Sequence, residues 1–302
     1  KVGRVTNPMS SQKNSTDPVE LFDLPKKGDP TAFIALLARA EGAVGKLADL
    51  LGPLAAAFAA EGESLYLVGG PVRDAMLGRL GHDLDFTTSA RPETIKKILS
   101  EWGEAVWDTG IEFGTVSTVK QGQQVEVTTF RADLYDGVTR NPEVTFGDTI
   151  EGDLVRRDFR VNAMAIELIP ASDGSATVTL DFHDPVDGLK DLLGRTLDTP
   201  QEPEVSFRDD PLRMLRAARF VSQLGFTVSP RVKRAMTDMA EEIGRITVER
   251  VQAELDKLML GLQPWEGIDL LVDTGLADHI LPEIPALKLE RDEHMQHKDV
   301  YA

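Results

Sequence analysis

The chain has 302 residues, 41% of them hydrophobic, with 33 basic and 50 acidic side chains and a net charge of −17. The length allows two domains and the composition is that of a soluble globular protein. The charge excludes general polyanion binding, so any nucleic-acid contact requires basic residues gathered on one surface. Cysteine is absent, which excludes disulfides and thiolate metal sites and fits a reducing cytoplasm. No apolar run approaches the roughly 18 residues of a membrane span, and the N-terminus lacks a signal-peptide core.

Residues 1–28 are polar and aperiodic and read as a flexible tail. From Pro30 to Ala60 the pattern is helical, with Gly52-Pro53 expected to split or kink it. Between about 64 and 198 short β-branched runs alternate with turns. Leu65–Val68, Leu84–Thr87, Gly114–Val119, Gln124–Thr129 and Thr177–Asp181 read as strands, Pro71–Gly78 and Pro92–Ser100 as short helices. Together these predict an α/β segment with a small mixed sheet. After about 200 strand signals stop, and Asp210–Leu224, Pro230–Ile243, Val248–Leu260 and Pro264–Thr274 read as helices, with glycines at 225, 244 and 261 near their ends. The expected organisation is a tail over 1–28, an α/β head over 29–198, an all-helical region over 199–290 and a further segment over 291–302.

Chemistry concentrates in the head. Asp83 and Asp85 are two apart on an expected strand and so project to one face. Two adjacent carboxylates repel unless a cation lies between them, and a hard divalent ion is the natural occupant. Such ions can clamp the attacking and leaving oxygens of phosphoryl transfer. Glu126, mid-strand in Val125-Glu126-Val127, is the candidate third acid, because an inward carboxylate there is costly without a partner. Gly69-Gly70 ends a strand just before a helix, where glycine permits close backbone approach and free N–H groups face an anion. Arg73 follows in the first turn. Each motif alone is weak, but Gly-Gly, Arg and Asp-x-Asp within seventeen residues place phosphates beside metal. The spaced glycines of a dinucleotide-binding fingerprint are missing.

These residues resemble the first motif of class II tRNA nucleotidyltransferases and the related bacterial poly(A) polymerases: Gly69-Gly70-x-Val72-Arg73-Asp74, then Asp83-Leu84-Asp85-Phe86. The likeness continues in order. Arg156-Arg157-Asp158-Phe159-x-x-Asn162-Ala163-Met164-Ala165 resembles the second motif. Asp184-x-x-Asp187-Gly188-x-x-Asp191-Leu192 resembles the third, a head-to-neck hinge. Asp209-Asp210-Pro211-Leu212-Arg213-x-Leu215-Arg216-Ala217-x-Arg219-Phe220 resembles the fourth, although the family commonly opens it with Glu-Asp.

The resemblance, which spans about residues 60–280, implies a polymerase-β-like head followed by an all-α neck and body. It implies that Asp83 and Asp85 bind catalytic Mg²⁺ and that Glu126 supports activation of the attacking 3′-hydroxyl. Gly69, Gly70, Arg73 and Arg157 would hold the triphosphate, and Asp158 and Asn162 would read the ribose. Asp210 and Arg213, with Arg216 a turn further on, would imitate the Watson–Crick edge of a partner base and select CTP or ATP; an i,i+3 salt bridge is the plainer reading of the same pair. Phe130 to Gly137 resembles the family's flexible loop, and His294 to Ala302 the opening of a truncated HD-type domain. The implied activity is template-independent addition of C, C and A to tRNA 3′ ends from CTP and ATP. Poly(A), A-only or CC-only synthesis on the same scaffold is the nearest alternative, and a non-catalytic RNA-binding module a remote one. Residues 206–250 carry nine basic against six acidic side chains, so Arg231, Lys233, Arg234, Arg245 and Arg250 are candidates for a phosphate-tracking surface.

Overall fold

Alternation of apolar and polar side chains from 64 onward resolves into one seven-stranded sheet. The computed structural model describes residues 22, 24–25, 29, 31–132, 145–173 and 177–287. Nearly all of the expected tail, the loop from 133 onward and the whole 291–302 segment lie outside the described residues.

The sheet uses β1 (Leu65–Val68), β2 (Asp83–Thr88), β3 (Ala105–Trp107), β4 (Thr115–Lys120), β5 (Gln123–Thr129), β8 (Ala165–Pro170) and β9 (Val178–His183) in the order β3-β4-β5-β2-β1-β8-β9. All neighbours are antiparallel except β2 and β5, which run parallel. Two-residue strands β6 (Arg131–Ala132) and β7 (Thr145–Phe146) pair with each other outside it.

Period two separates the faces. Leu65, Leu67, Leu84, Phe86, Val125 and Val127 enter the main core. Tyr66 and Val68 enter a second cluster with Phe130, Ala163 and Ala165, closed by Ile150 and Leu154 of α5 (Ile150–Val155). The main core is covered by α1 (Ala32–Gly45), α2 (Ala48–Ala60), α3 (Gly70–Met76) and α4 (Pro92–Trp102). In α4 the buried Ile95, Ile98 and Leu99 follow the three-and-four spacing of an amphipathic helix.

The expected break at Gly52-Pro53 is displaced. The chain turns at Lys46-Leu47, where α1 and α2 meet at 85°, and Pro53 lies inside α2. Proline forfeits one hydrogen bond there. Burial of Leu50, Leu51, Leu54 and Phe58 offsets that loss. Among the described residues no single helix is long and apolar enough to cross a membrane.

The third motif has a physical basis. Asp184 accepts hydrogen bonds from the N–H groups of Gly188 (2.7 Å) and Leu189 (2.9 Å), capping α6 (Gly188–Gly194). A Cβ on Gly188 would stand 2.2 Å from the Arg160 carbonyl oxygen. Glycine is therefore required for α6 to close on the Arg160–Asn162 turn.

Beyond the hinge come α7 (Pro203–Asp209), α8 (Leu212–Leu224), α9 (Pro230–Asp238), α10 (Val248–Met259), α11 (Pro264–Asp273) and α12 (Leu276–Ile280). Strand signals do not stop entirely: β10 (Thr196–Leu197) pairs in parallel with β11 (Thr227–Val228), two residues each and too short to show periodicity. The helix expected from Asp210 begins two residues later, at Leu212. Asp210 lies between α7 and α8 with φ −144° and ψ 100°. Pro211 is the cause, because proline pushes the preceding residue out of the helical region.

Candidate active site

The parallel pairing of β2 with β5 sets Asp85 opposite Glu126, and Asp83 one pleat away on the same face. Their neighbours Leu84, Phe86, Val125 and Val127 are buried on the other face. The pKa of Asp85 is raised above the ordinary carboxylate value by burial, then by Glu126 and, less, by Asp83; Arg157 opposes the shift. Three acids repelling one another on one face form a donor set suited to a hard divalent cation. The set is open: among the described residues, only Glu167, Asp181 and His183, on β8 and β9, have ligand atoms that all lie within 4.8 Å of one another. An open carboxylate set suits an ion that keeps waters and shares itself with substrate phosphates.

Beside these acids lies a cleft of about 590 Å³ whose lining includes eight arginines (73, 131, 156, 157, 213, 216, 219 and 250) against three aspartates, Asp85, Asp158 and Asp210. A chain of net charge −17 thus concentrates cations at one place. The crowding is electrostatically unfavourable without an anion. Burial and then Arg216 push the Arg219 guanidinium down to about 10, and burial and then Arg156 lower Arg131. Gly69 closes the cleft floor with φ 72°, and a Cβ there would lie 2.9 Å from Arg157 Nη1. Glycine lets the guanidinium rest against the turn.

Asp158 and Asn162 meet across a turn and a 3₁₀ segment (Arg160–Asn162). Asp158 Oδ1 accepts from the Phe159 N–H (2.8 Å) and Asn162 Nδ2 (3.0 Å), and Oδ2 accepts from Arg216 Nε (2.8 Å) and Nη2. Arg73 in turn donates through Nη1 to Asn162 Oδ1 and through Nε to Asp74 (3.0 Å). Burial alone would raise Asp158; Arg216, together with the hydrogen bonds, brings it down to about 2. Arg73, Asp158, Asn162 and Arg216 therefore form one buried network that shapes the cleft wall.

The Asp210–Arg213 salt bridge that spacing suggests does not form. Arg213 donates to Ser206 Oγ (2.8 Å) and to the Arg156 carbonyl (2.8 Å). Asp210 accepts from the Leu212 N–H (3.2 Å) and from Arg250 (2.8 Å). Both still line the cleft. Arg250 thus belongs to this site rather than to a separate basic face. Arg231 pairs with Asp198 and Glu202, Lys233 with Asp273 and Arg245 with Glu242. Those solvent-reaching pairs contribute little to stability.

Sequence reasoning placed Arg219 and Phe220 in the fourth motif without giving them a role, and missed Glu254. Three guanidiniums, of Arg73, Arg216 and Arg219, lie 5.2, 5.7 and 4.3 Å from the Phe220 ring centroid, and Arg219 pairs with Glu254 at 2.9 Å. The three-residue spacing of Arg213, Arg216 and Arg219 was the available signal, since it places all three along one side of α8.

A mixed sheet with in-register acids and a basic cleft against a helical region is the design of a polymerase-β-like nucleotidyltransferase head. Comparison with known proteins agrees. The Poly A polymerase head domain matches residues 65–198, and the domain described as a probable RNA and SrmB-binding site of polymerase A matches 225–287. The CCA-adding enzyme of Levilactobacillus brevis is 43% identical over 216 residues, 71% of this chain and 51% of that one. The crystal structure of the Bacillus stearothermophilus CCA-adding enzyme in complex with CTP aligns with TM-score 0.64 and 37% identity, over 75% of this chain and 52% of that one. A tRNA nucleotidyltransferase complexed with a primer tRNA and an incoming ATP analog aligns with TM-score 0.62 and 26% identity, over 80% and 65% respectively. The chain belongs to the family of class II tRNA nucleotidyltransferases and bacterial poly(A) polymerases, membership that implies use of a divalent metal ion. It spans about half the length of the curated relatives it matches.

Proposed function

We propose that this chain carries the catalytic half of a CCA-adding tRNA nucleotidyltransferase, which adds C, C and A to tRNA 3′ ends from CTP and ATP with release of pyrophosphate, in the cytoplasm. The division that goes with this reading is a head over 29–198 and a helical neck and body over 199–290. The observation that carries it is the in-register set Asp83, Asp85 and Glu126 beside a cleft that also contains Asp210 and Arg213.

Asp83 and Asp85 would hold Mg²⁺, which when bound supplies Lewis-acid stabilisation of charge on the phosphoryl oxygens. Glu126 lies across from Asp85 on the next strand and would orient the primer 3′-hydroxyl. Arg157, backed by Gly69 and Gly70, would neutralise the triphosphate, and the like-charge crowding of the cleft is relieved when an anion enters. Asn162 would face the ribose; Arg73, Asp158 and Arg216 hold it in place. Asp210 and Arg213 would meet the base. The two bonds to Ser206 and Arg156 fix the Arg213 fork and leave part of it open, since guanidinium has five N–H donors.

The assay supplies Mg²⁺, CTP and ATP, singly and together, to tRNA ending before CCA, after C and after CC. Ordered addition of C, C and A with a stop is the expected result. Open-ended A addition from ATP alone would move the reading to poly(A) synthesis, and a halt after CC or a requirement for CC-ended primer to a CC-only or A-only enzyme. In the same assay Arg213→Ala is expected to narrow the preference between correct and incorrect nucleotide by roughly ten-fold or more, the loss of one or two charged hydrogen bonds. Unchanged selectivity in that variant removes Arg213 from base reading.

A further inference from the structure

The register of the sheet draws one continuous line through the acids. On successive strands Asp85 lies opposite Glu126, Glu126 opposite Ser117, and Ser117 opposite Trp107. Residues paired in register share a face, so Trp107 projects on the same side as the carboxylates. The burial of β3 agrees: Val106 packs on the core while Trp107 is 50% exposed. Among the described residues no aromatic ring or guanidinium is recorded against its indole.

We propose that Trp107 is a stacking platform for the unpaired 3′-terminal base of the RNA primer. The inference rests on the nucleotidyl-transfer reading above. In-line displacement puts the attacking and leaving oxygens on opposite sides of the transferred phosphorus. The arginine cleft, which takes the triphosphate, flanks Asp85 mainly on the β1 side, with Arg131 reaching in from the β4–β5 side. The primer must therefore arrive from the β5 side, over Glu126, Ser117 and Trp107. With strands about 4.8 Å apart, Trp107 stands about 10 Å beyond Glu126, about the span of one nucleotide. The chemistry of the spot fits a base rather than a phosphate. On this face Ser117 lies between Glu126 and Trp107, the Arg131 guanidinium at Thr115 is tied to its Oγ1 (3.2 Å) and to the Phe113 carbonyl (2.6 Å), and an indole face accepts any base.

Two measurements test it on this chain. The first is tryptophan fluorescence with an acceptor-stem minihelix carrying an unpaired 3′ CC, against the same helix blunt-ended. The CC-ended helix is expected to quench the wild type and to lose most of that quench in Trp107→Phe, with little change from the blunt helix. The second is steady-state incorporation. Trp107→Ala is expected to raise primer KM about ten-fold while leaving the KM for CTP and ATP unchanged, and Trp107→Phe to recover most of that loss. An unchanged primer KM in Trp107→Ala, or equal quenching by the blunt helix, overturns the platform. If the wild type incorporates no nucleotide at all, the enzymatic reading fails, and the fluorescence arm still decides whether Trp107 stacks on RNA.

Discussion

Replacing Asp85 by asparagine is expected to abolish nucleotide incorporation and, in the absence of divalent ions, to raise the melting temperature. Both effects come from the same electrostatics. Burial, Glu126 and Asp83 all disfavour the ionised Asp85 carboxylate. A carboxylate whose folded pKa is raised costs stability once the pH exceeds its unfolded value, so at neutral pH the neutral asparagine relieves repulsion. A rise of roughly 1–3 °C is the expected scale for a chain this size. Catalysis moves the other way. Loss of an anionic ligand removes several kcal/mol of charge stabilisation in phosphoryl transfer, at least about a thousand-fold in rate. Thermal melts with and without MgCl₂ separate the two: the wild type should gain stability from the ion, as any protein does from a ligand of its native state, and the variant should gain little. A variant that keeps a tenth of wild-type turnover would show that Asp85 does not hold the metal.

This trade explains which parts of the molecule were legible in the sequence. Where one local rule governs, the reading holds. Short β-branched or apolar runs mark β1, β2, β4 and β5 to within a residue or so, and the alternation within β2 and β5 sends Asp83, Asp85 and Glu126 away from the apolar face. Where two local rules compete, it fails. Gly52-Pro53 reads as a breaker, but the burial of α2 overrides it. Asp210 reads as helical by the pattern around it, but Pro211 forbids that conformation. Where partners are distant in sequence, spacing cannot help. Arg213 bonds to Ser206 and Arg156 rather than to Asp210, whose partner is Arg250, forty residues on. Likewise Asp158 and Arg216 are 58 residues apart, and only the fold reveals that they are one unit. The acidic net charge was misleading for the same reason: its basic minority is gathered by topology, from α3 to α10, rather than by sequence.

Asp158→Ala is expected to be the most destabilising change at this site. Asp158 is buried and its partner Arg216 half-buried, a pair whose attraction barely exceeds its desolvation cost while intact but which is costly to break. Removing the carboxylate leaves Arg216 facing only Glu254 at 3.9 Å and takes an acceptor from Asn162 and the Phe159 N–H. The expected loss is about 3–5 kcal/mol, on the order of 10 °C in melting temperature, with nucleotide KM rising because Asn162 loses its anchor. The pH dependence identifies the cause. Asp158 falls from its ordinary 3.8 to about 2 in the fold, a gap corresponding to roughly 2–3 kcal/mol. A depressed carboxylate contributes stability that is fully present above the unfolded pKa and is lost as pH falls through the folded one. The stability difference between wild type and Asp158→Ala should therefore be constant above about pH 5 and shrink between about pH 4 and 2. Asp191, held up to about 6 chiefly by burial, changes stability in the opposite direction, but it does so in both proteins and cancels in the comparison. Pairing Asp158→Leu with Arg216→Met removes both charges at once. That double variant should be more stable than Asp158→Ala alone, since no uncompensated guanidinium remains. If the double variant is as unstable as the single one, or the difference does not narrow in acid, the carboxylate acts through packing and hydrogen bonding rather than through its charge.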